Sequence, residues 1–193
     1  TATATQVVTV VDNVDPTITA PAAVTVNVDA GACSTALSNV TLGAATTSDN
    51  CSVASTTNDA PSSFPLGNTT VTWTVTDGSG NTATSTQVVT VVDNIAPVAV
   101  AQNITVQLDA NGQATITTAD VDNGSSDNCT FTLSLDQTSF DCDDLGANTV
   151  TLTATDGSSN THSVTATVTV EDNIDPVAVA QNITVQLDAN GQA

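Results

Sequence analysis

The sequence predicts an all-β protein made of tandem β-sandwich domains. Three observations carry this. "NTTVTWTVTD" (Asn68–Asp77) alternates strictly, with Val71, Trp73 and Val75 on one face and Thr70, Thr72, Thr74 and Thr76 on the other. Period two with a threonine outer face marks a half-buried antiparallel strand. Segments also recur at about 80 residues: "QVVTVVDN" at Gln6–Asn13 returns at Gln87–Asn94, and "PVAVAQNITVQLDANGQA" at 97–114 returns letter for letter at 176–193. Lastly, no stretch combines a helical period with helix-forming residues.

In chain order, residues 1–13 read as the last strand of a preceding repeat, with Val7–Val11 matching Val88–Val92. Residues 14–94 and 95–174 form complete sandwiches, and 175–193 the first hairpin of a following repeat, Ile183–Leu187 matching Ile104–Leu108. Such a chain is expected to be a window onto an array, or a subunit whose end strands complete a neighbour by strand addition. Within the second sandwich, Ile104, Val106 and Leu108 point inward. The chain turns at Asn111-Gly112, a dipeptide favoured in type I′ hairpins, and returns through Ile116. "NTVTLTATD" (Asn148–Asp156) places Val150, Leu152 and Ala154 inward. His162, in the alternating "NTHSVTATV", reads as a solvent-facing strand residue.

The 193 residues carry 20 Asp and Glu and no Lys or Arg, a formal net charge of −20. Nucleic acid is excluded as a partner, because no cation faces a phosphate, and so is an anionic membrane surface. Such a chain attracts cations, and without them its like charges loosen the compact state. Acidic composition can also signal disorder, but the alternating Val, Ile and Thr argue against it. No apolar run approaches the ~18 residues that span a bilayer. Without Lys, Arg or Tyr, general-acid, Schiff-base and oxyanion-clamp chemistry is largely out of reach, so no enzyme is expected. Trypsin-like proteases also find no cleavage site.

With one Trp, three Phe, no Tyr and no Met, the core is lean, and domains of this size are marginal without staples. The cysteines suit that role. Cys51 and Cys129 sit in matching contexts, "SDNCS" and "SDNCT". Sequence proximity pairs Cys33 with Cys51 and Cys129 with Cys142, each bridge contributing about 3 kcal/mol. The alternatives are buried free thiols or a zinc site. Zinc is disfavoured because no CxxC pair is present and His162 lies far from any cysteine. Disulfides place the chain in an oxidising, extracellular setting.

"DNCSVAS…FPLGNTTVTWTVTDGSGNTATSTQVVTVVDN" closely resembles the hyalin repeat, or HYR module, of the immunoglobulin-like sandwich group. Its most specific part runs from Phe64 to Asn94. The second unit departs from the pattern, with "SFDCDDLGANTV" for "SFPLGNTTV" and "DGSSN" for "DGSGN", yet resembles relatives in long bacterial cell-surface proteins. The resemblance implies tandem immunoglobulin-like domains in extracellular arrays, with roles in adhesion or structure and no catalysis.

The acids cluster at three recurring places. The first is the unit boundary: Asp12, Asn13 and Asp15; Asp93 and Asn94; Glu171, Asp172, Asn173 and Asp175. The second is the turn after the Trp73 or Leu152 strand: Asp77 with Asn81, and Asp156 with Asn160. The third is the "SDN" before the shared cysteine: Asp49 with Asn50, and Asp127 with Asn128. In an immunoglobulin-like topology these places meet, so Asp93 and Asn94 should face Asp127, Asp156 and Asn160. Asp12 and Asn13 should likewise face Asp49, Asp77 and Asn81. Each motif alone is an ordinary turn. Their convergence, with oxygen ligands only, suits Ca²⁺, which takes 6–8 oxygens, better than octahedral Mg²⁺.

The function expected is a structural extracellular fibre or stalk of calcium-rigidified repeats, for cell-surface adhesion or filament formation. Its partners are then neighbouring repeats or identical subunits. The competing expectation is a calcium-dependent carbohydrate- or protein-binding module, which an exposed aromatic cluster would favour; the sequence has none.

Overall fold

The computed structural model describes residues 1–193. Contacts divide the chain into two compact units: Thr1–Val100 with Gly124–Ser134 and Thr153–Ser163, and Ala101–Asn123 with Leu135–Leu152 and Val164–Ala193.

In the first unit, strands run in chain order: β1 (Thr17–Thr19), β2 (Val24–Asn27), β3 (Ser34–Ala36), β4 (Thr46–Ser48), β5 (Val53–Asn58), β6 (Ser63–Pro65), β7 (Gly67–Asp77) and β8 (Thr82–Val92). The main sheet has the order β2-β8-β7-β5. β7 and β8 pair antiparallel along nearly their whole length, whereas β2 joins the free edge of β8 in parallel, from Val24↔Val89 to Asn27↔Val92. β1 pairs with β4 and β3 with β6 as short antiparallel ribbons.

The alternation of β7 places Val71, Trp73 and Val75 inside, at 0%, 6% and 0% exposure. Val71 and Trp73 pack with Phe64, Val89, Val91, Val28 and Val40. Period two also carries Gln87 inward beside Val89 and Val91. Its buried amide is satisfied: Oε1 accepts the Trp73 indole N–H at 3.1 Å, and Nε2 donates to the carbonyls of Ala22 and Leu42 at 2.8 and 2.9 Å. One side chain thus ties β8 to two loops.

The second unit contains β9 (Ile104–Gln107), β10 (Gln113–Thr115), a single helical turn α1 (Thr118–Val121) and, beyond β11 (Phe131–Leu135), β12 (Ser139–Asp141). β13 (Gly146–Asp156) and β14 (Thr161–Glu171) follow; with β11 and β9 they form a sheet of order β11-β13-β14-β9. β9 lies parallel to β14 from Ile104↔Val168 to Gln107↔Glu171, as β2 lies on β8. β10 pairs with β12. Val150 and Leu152 are fully buried, as the alternation predicts. The helical turn exists because a Thr117–Asp120 capping box closes it: the Asp120 carboxylate accepts from both the N–H and the hydroxyl of Thr117 at 2.7 Å.

One local expectation needs correction. The Asn111-Gly112 turn is not type I′, which requires positive φ at both central residues; only Gly112 has it, at 72°. Instead Asp109 organises the loop. Its carbonyl accepts from Gly112 N–H at 2.8 Å, and its Oδ1 from the N–H groups of Asn111 and Gln113 at 2.8 and 3.0 Å. The flanking segments also enter different pairings, so this is a crossing from β9 to β10 rather than a two-stranded hairpin. Val7–Val11 and Ile183–Leu187, expected to pair outside the two full repeats, form no strand within this chain and are exposed, Val7 at 89% and Ile183 at 82%. An alternating apolar segment becomes a strand only against an edge that pairs with it.

Candidate metal centres

Two clusters of acids lie in the first unit. Carboxylate oxygens of Asp12, Asp49 and Asp77 fall within 4.8 Å of one another, and those of Asp93, Asp127 and Asp156 do the same. The local turn chemistry is the same in both. Asp12 and Asp93 each accept, through Oδ1, the N–H two residues on, of Val14 at 3.1 Å and Ile95 at 3.0 Å. Asp49 and Asp127 accept through Oδ2 from the N–H groups of Cys51 and Cys129 at 2.9 and 3.1 Å. Asp77 closes the turn after β7 by accepting from Ser79 and Asn81 N–H; Asp156 does so after β13 with Ser158 and Asn160.

Asn81 and Asn160 then knit each cluster together. Asn81 Nδ2 donates to Asp77 Oδ2 at 2.7 Å and to the Asp12 carbonyl at 3.2 Å. Asn160 Nδ2 donates to Asp156 Oδ2 at 2.7 Å and to the Asp93 carbonyl at 3.1 Å. These asparagines turn their N–H groups toward the acids, so they position carboxylates rather than offering oxygens.

What remains is a set of oxygens with nothing to bind. Asp12 Oδ2, Asp49 Oδ1, Asp127 Oδ1 and Asn128 Oδ1 are buried and have no hydrogen-bond partner. Buried unpaired acceptors are uncommon, because desolvation goes uncompensated. Asp77, Asp93 and Asp156 are themselves only 2%, 7% and 7% exposed. Burial alone would raise the Asp77 carboxyl, but the Asn81 side chain and the N–H groups of Asn81, Ser79 and Gly80 hold it below the ordinary range. The balance is the same at Asp156, with Asn160, Ser158 and Ser159. The Val14 N–H and the Asn50 amide lower Asp12. Asp12, Asp77 and Asp156 are thus held as anions, and the chain has no Lys or Arg to face them.

Other expected site residues fall outside the clusters. Asn13 and Asn94 are exposed. So are Asp172, Asn173 and Asp175; Asp172 repeats the boundary turn by accepting Ile174 N–H at 3.0 Å, while Asn173 donates to Gln107 at 2.7 Å. Two residues left out of the expected ligand set join instead. Asn128 Nδ2 donates to Asp93 Oδ2 at 3.2 Å and to the Ala32 carbonyl at 3.1 Å, and Asn50 Nδ2 donates to Asp12 Oδ1 at 3.2 Å. Their place in the repeated "SDN" was the available signal. His162 is exposed, and its Nδ1 accepts the Ala99 N–H at 2.9 Å.

The cysteine pairing inferred from sequence proximity is overturned. Cys33 bonds to Cys129, 96 residues away, and Cys51 and Cys142 are free and exposed. The reason is spatial. Cys33, in the turn before β3, comes within 4.9 Å of Cys129, Cα to Cα, a separation that suits a bridge. Cys142 instead packs over Gly112, with Sγ 3.8 Å from its carbonyl oxygen. The Cys51 thiol is pushed up chiefly by the Asp12 carboxylate beside it, and further by burial and the charges of Asp49 and Asp77.

Residues 11–91 match the HYR domain family. No curated protein matches the chain. Among solved structures, extracellular cadherin domains 1–4 of protocadherin gamma B7 align at 15% identity and a TM-score of 0.35, covering 82% of this chain and 51% of that one. Domains EC1-2 of human mucin-like protocadherin align at 12% identity and a TM-score of 0.43, covering 81% and 98%. The chain thus spans about half the length of the gamma B7 fragment.

Proposed function

From the premise that residues 11–91 are an HYR domain, an immunoglobulin-like extracellular repeat, we propose that this chain is a structural element of an extracellular fibre or stalk, rigidified by calcium. The observation that carries the reading is the pair of equivalent three-carboxylate clusters with buried, unpartnered oxygens. Asp12, Asp49 and Asp77 would hold one Ca²⁺; Asp93, Asp127 and Asp156, with Asn128 Oδ1, would hold another. Bound calcium supplies the positive charge that the sequence lacks. It also fixes three separate turns to one point, which turns a flexible junction into a stiff one. Oxygen-only ligands on loops that admit water suit Ca²⁺ better than Mg²⁺.

Residues 14–94 and 95–174 would be the full repeats of this array, with Val7–Val11 and Ile183–Leu187 pairing with strands of a neighbouring repeat or an identical subunit. Their exposed apolar alternation supports that role.

Isothermal titration with CaCl₂ and MgCl₂, paired with thermal melts, tests the reading. Calcium should bind in the weak extracellular range, ~10⁻⁴–10⁻³ M, raise the melting temperature and outcompete magnesium. Chelation should loosen the junctions while leaving the β signal intact. No heat and no thermal shift at about ten millimolar calcium would sink the calcium reading.

A further inference from the structure

We propose that the Cys33–Cys129 disulfide carries tension past most of the first repeat, so that a pull along the chain reaches neither its main sheet nor the boundary turn at Asp93. The inference rests on the fibre reading above, because only a chain under tension has a use for such a bond.

Connectivity provides the shortcut. A pull that enters upstream of Cys33 and leaves downstream of Cys129 has two routes between them. One is the backbone, which takes 96 residues; the other is a single S–S bond between residues whose Cα atoms lie 4.9 Å apart. The bond tightens first and the backbone route stays slack. That slack loop holds β3 to β8 and continues through β9, β10 and α1. It includes the packed Phe64, Val71 and Trp73, and two acids of the second cluster, Asp93 and Asp127.

Sheet geometry defines what the bond spares. β2 lies parallel to β8 from Val24↔Val89 to Asn27↔Val92, and Val28 N–H donates to the Val92 carbonyl at 3.0 Å. Without the bond, tension would enter at the start of β2 and leave by the end of β8, next to Asp93. Two parallel strands pulled from opposite ends slide along each other, so the β2–β8 rungs would take the whole load together. With the bond, tension leaves by Cys33, in the turn that follows β2. β2 is then pulled from both of its own ends, and no force drives it along β8.

A second link lies beside the first but is of the wrong kind to replace it. Ala32 and Asn128 each precede a bridged cysteine, and Asn128 Nδ2 donates to the Ala32 carbonyl at 3.1 Å. Asn128 also reaches Asp93 Oδ2 at 3.2 Å. These hydrogen bonds set the two turns side by side and open easily when pulled; the covalent bond does not. Calcium and disulfide thus divide the task at this boundary: the ion stiffens it against bending, and the bond holds it against stretching.

Optical tweezers on the whole chain, held through peptide tags fused to both ends, read the outcome as contour length. Tags replace thiol handles because Cys51 and Cys142 are free. Fully extended oxidised chain should fall short of its reduced length by the 96 residues between the bridged cysteines, about 330 Å. Dithiothreitol, added to molecules already folded, reduces the bond by thiol–disulfide exchange and should release that length after a rupture absent from the oxidised trace. No shortfall overturns the proposal, and so does one of about 60 Å, about 45 Å or both together, the lengths that Cys33–Cys51 and Cys129–Cys142 bridges would hide. Release without a rupture overturns it as well, since the sheet would then resist no tension for the bond to take over. Calcium titration of the same oxidised chain keeps the two ideas apart. If calcium does not bind while the hidden length stands, only the calcium part of the fibre reading falls. If calcium binds and no length is hidden, only the shortcut does.

Discussion

Trp73 donates its indole N–H to Gln87 Oε1 at 3.1 Å in the core of the first unit, and Gln87 passes its own donors to the Ala22 and Leu42 carbonyls. Gln87→Leu keeps the volume but leaves one donor and two acceptors unsatisfied in a site that is 1% exposed. Losing partners for buried polar groups costs about 1–3 kcal/mol each, and relaxation recovers part of that. Denaturant titration should show Gln87→Leu less stable than wild type by at least about 2 kcal/mol. A difference within error would mean that these groups find water instead.

Acidification tests the anchoring of Asp29. Its carboxylate accepts from Ala36 N–H, the Asn39 amide and the Thr35 hydroxyl, and these bonds, in that order, lower its pKa. A depressed folded pKa contributes stability that is complete above the unfolded value of about 3.9 and is lost as pH falls through the folded value. Relief of the −20 self-repulsion acts in the opposite direction, but it is common to wild type and variant. The stability gap between wild type and Asp29→Asn should therefore narrow from pH 6 toward about pH 3. A constant gap would show that Asp29 contributes nothing through its charge.

Much of this architecture is legible as period two: Val71, Trp73 and Val75 inside, and Val150 with Leu152 inside, follow from alternation alone. Gln87 obeys the same alternation and was readable as buried. The parallel seating of β2 on β8 was not readable, because periodicity says which face is buried and nothing about which edge pairs. Cysteine connectivity was hidden for a related reason. Nearness in sequence favours Cys33 with Cys51, whereas the turn before β3 carries Cys33 to Cys129 across 96 residues. The acid clusters were legible as recurring motifs, yet the part each asparagine plays was not. Asn81 and Asn128 look alike in sequence; one spends its amide on its own turn, and the other keeps an oxygen free.

Gly112 is required for two separable reasons. Its φ is +72°, which costs an L-residue roughly 1–2 kcal/mol, and a Cβ would strike Cys142 Sγ. Gly31 shares the first reason, at +73°, but has open space where its Cβ would go. Gly112→Ala should thus destabilise more than Gly31→Ala. Adding Cys142→Ala should bring the two substitutions level. Equal effects of both glycine substitutions in the wild-type background would refute the contact.

The acid clusters make the sharpest prediction, because two readings of the same residues differ in sign. In Asp127→Asn, the new side chain can still accept the Cys129 N–H, so the turn survives. One of three anions crowded within 4.8 Å is gone, and the unpartnered oxygen no longer carries full charge. In a chelator the variant should therefore melt at or above the wild-type temperature. In calcium the order should reverse, because a ligand at ten times its Kd stabilises by about 1.4 kcal/mol and the variant has lost a carboxylate from that site. Asp49→Asn should behave alike at the other cluster, and the double variant should lose calcium binding in titration calorimetry. If instead Asp127→Asn were destabilising in chelator and calcium alike, Asp127 would be a turn residue and nothing more.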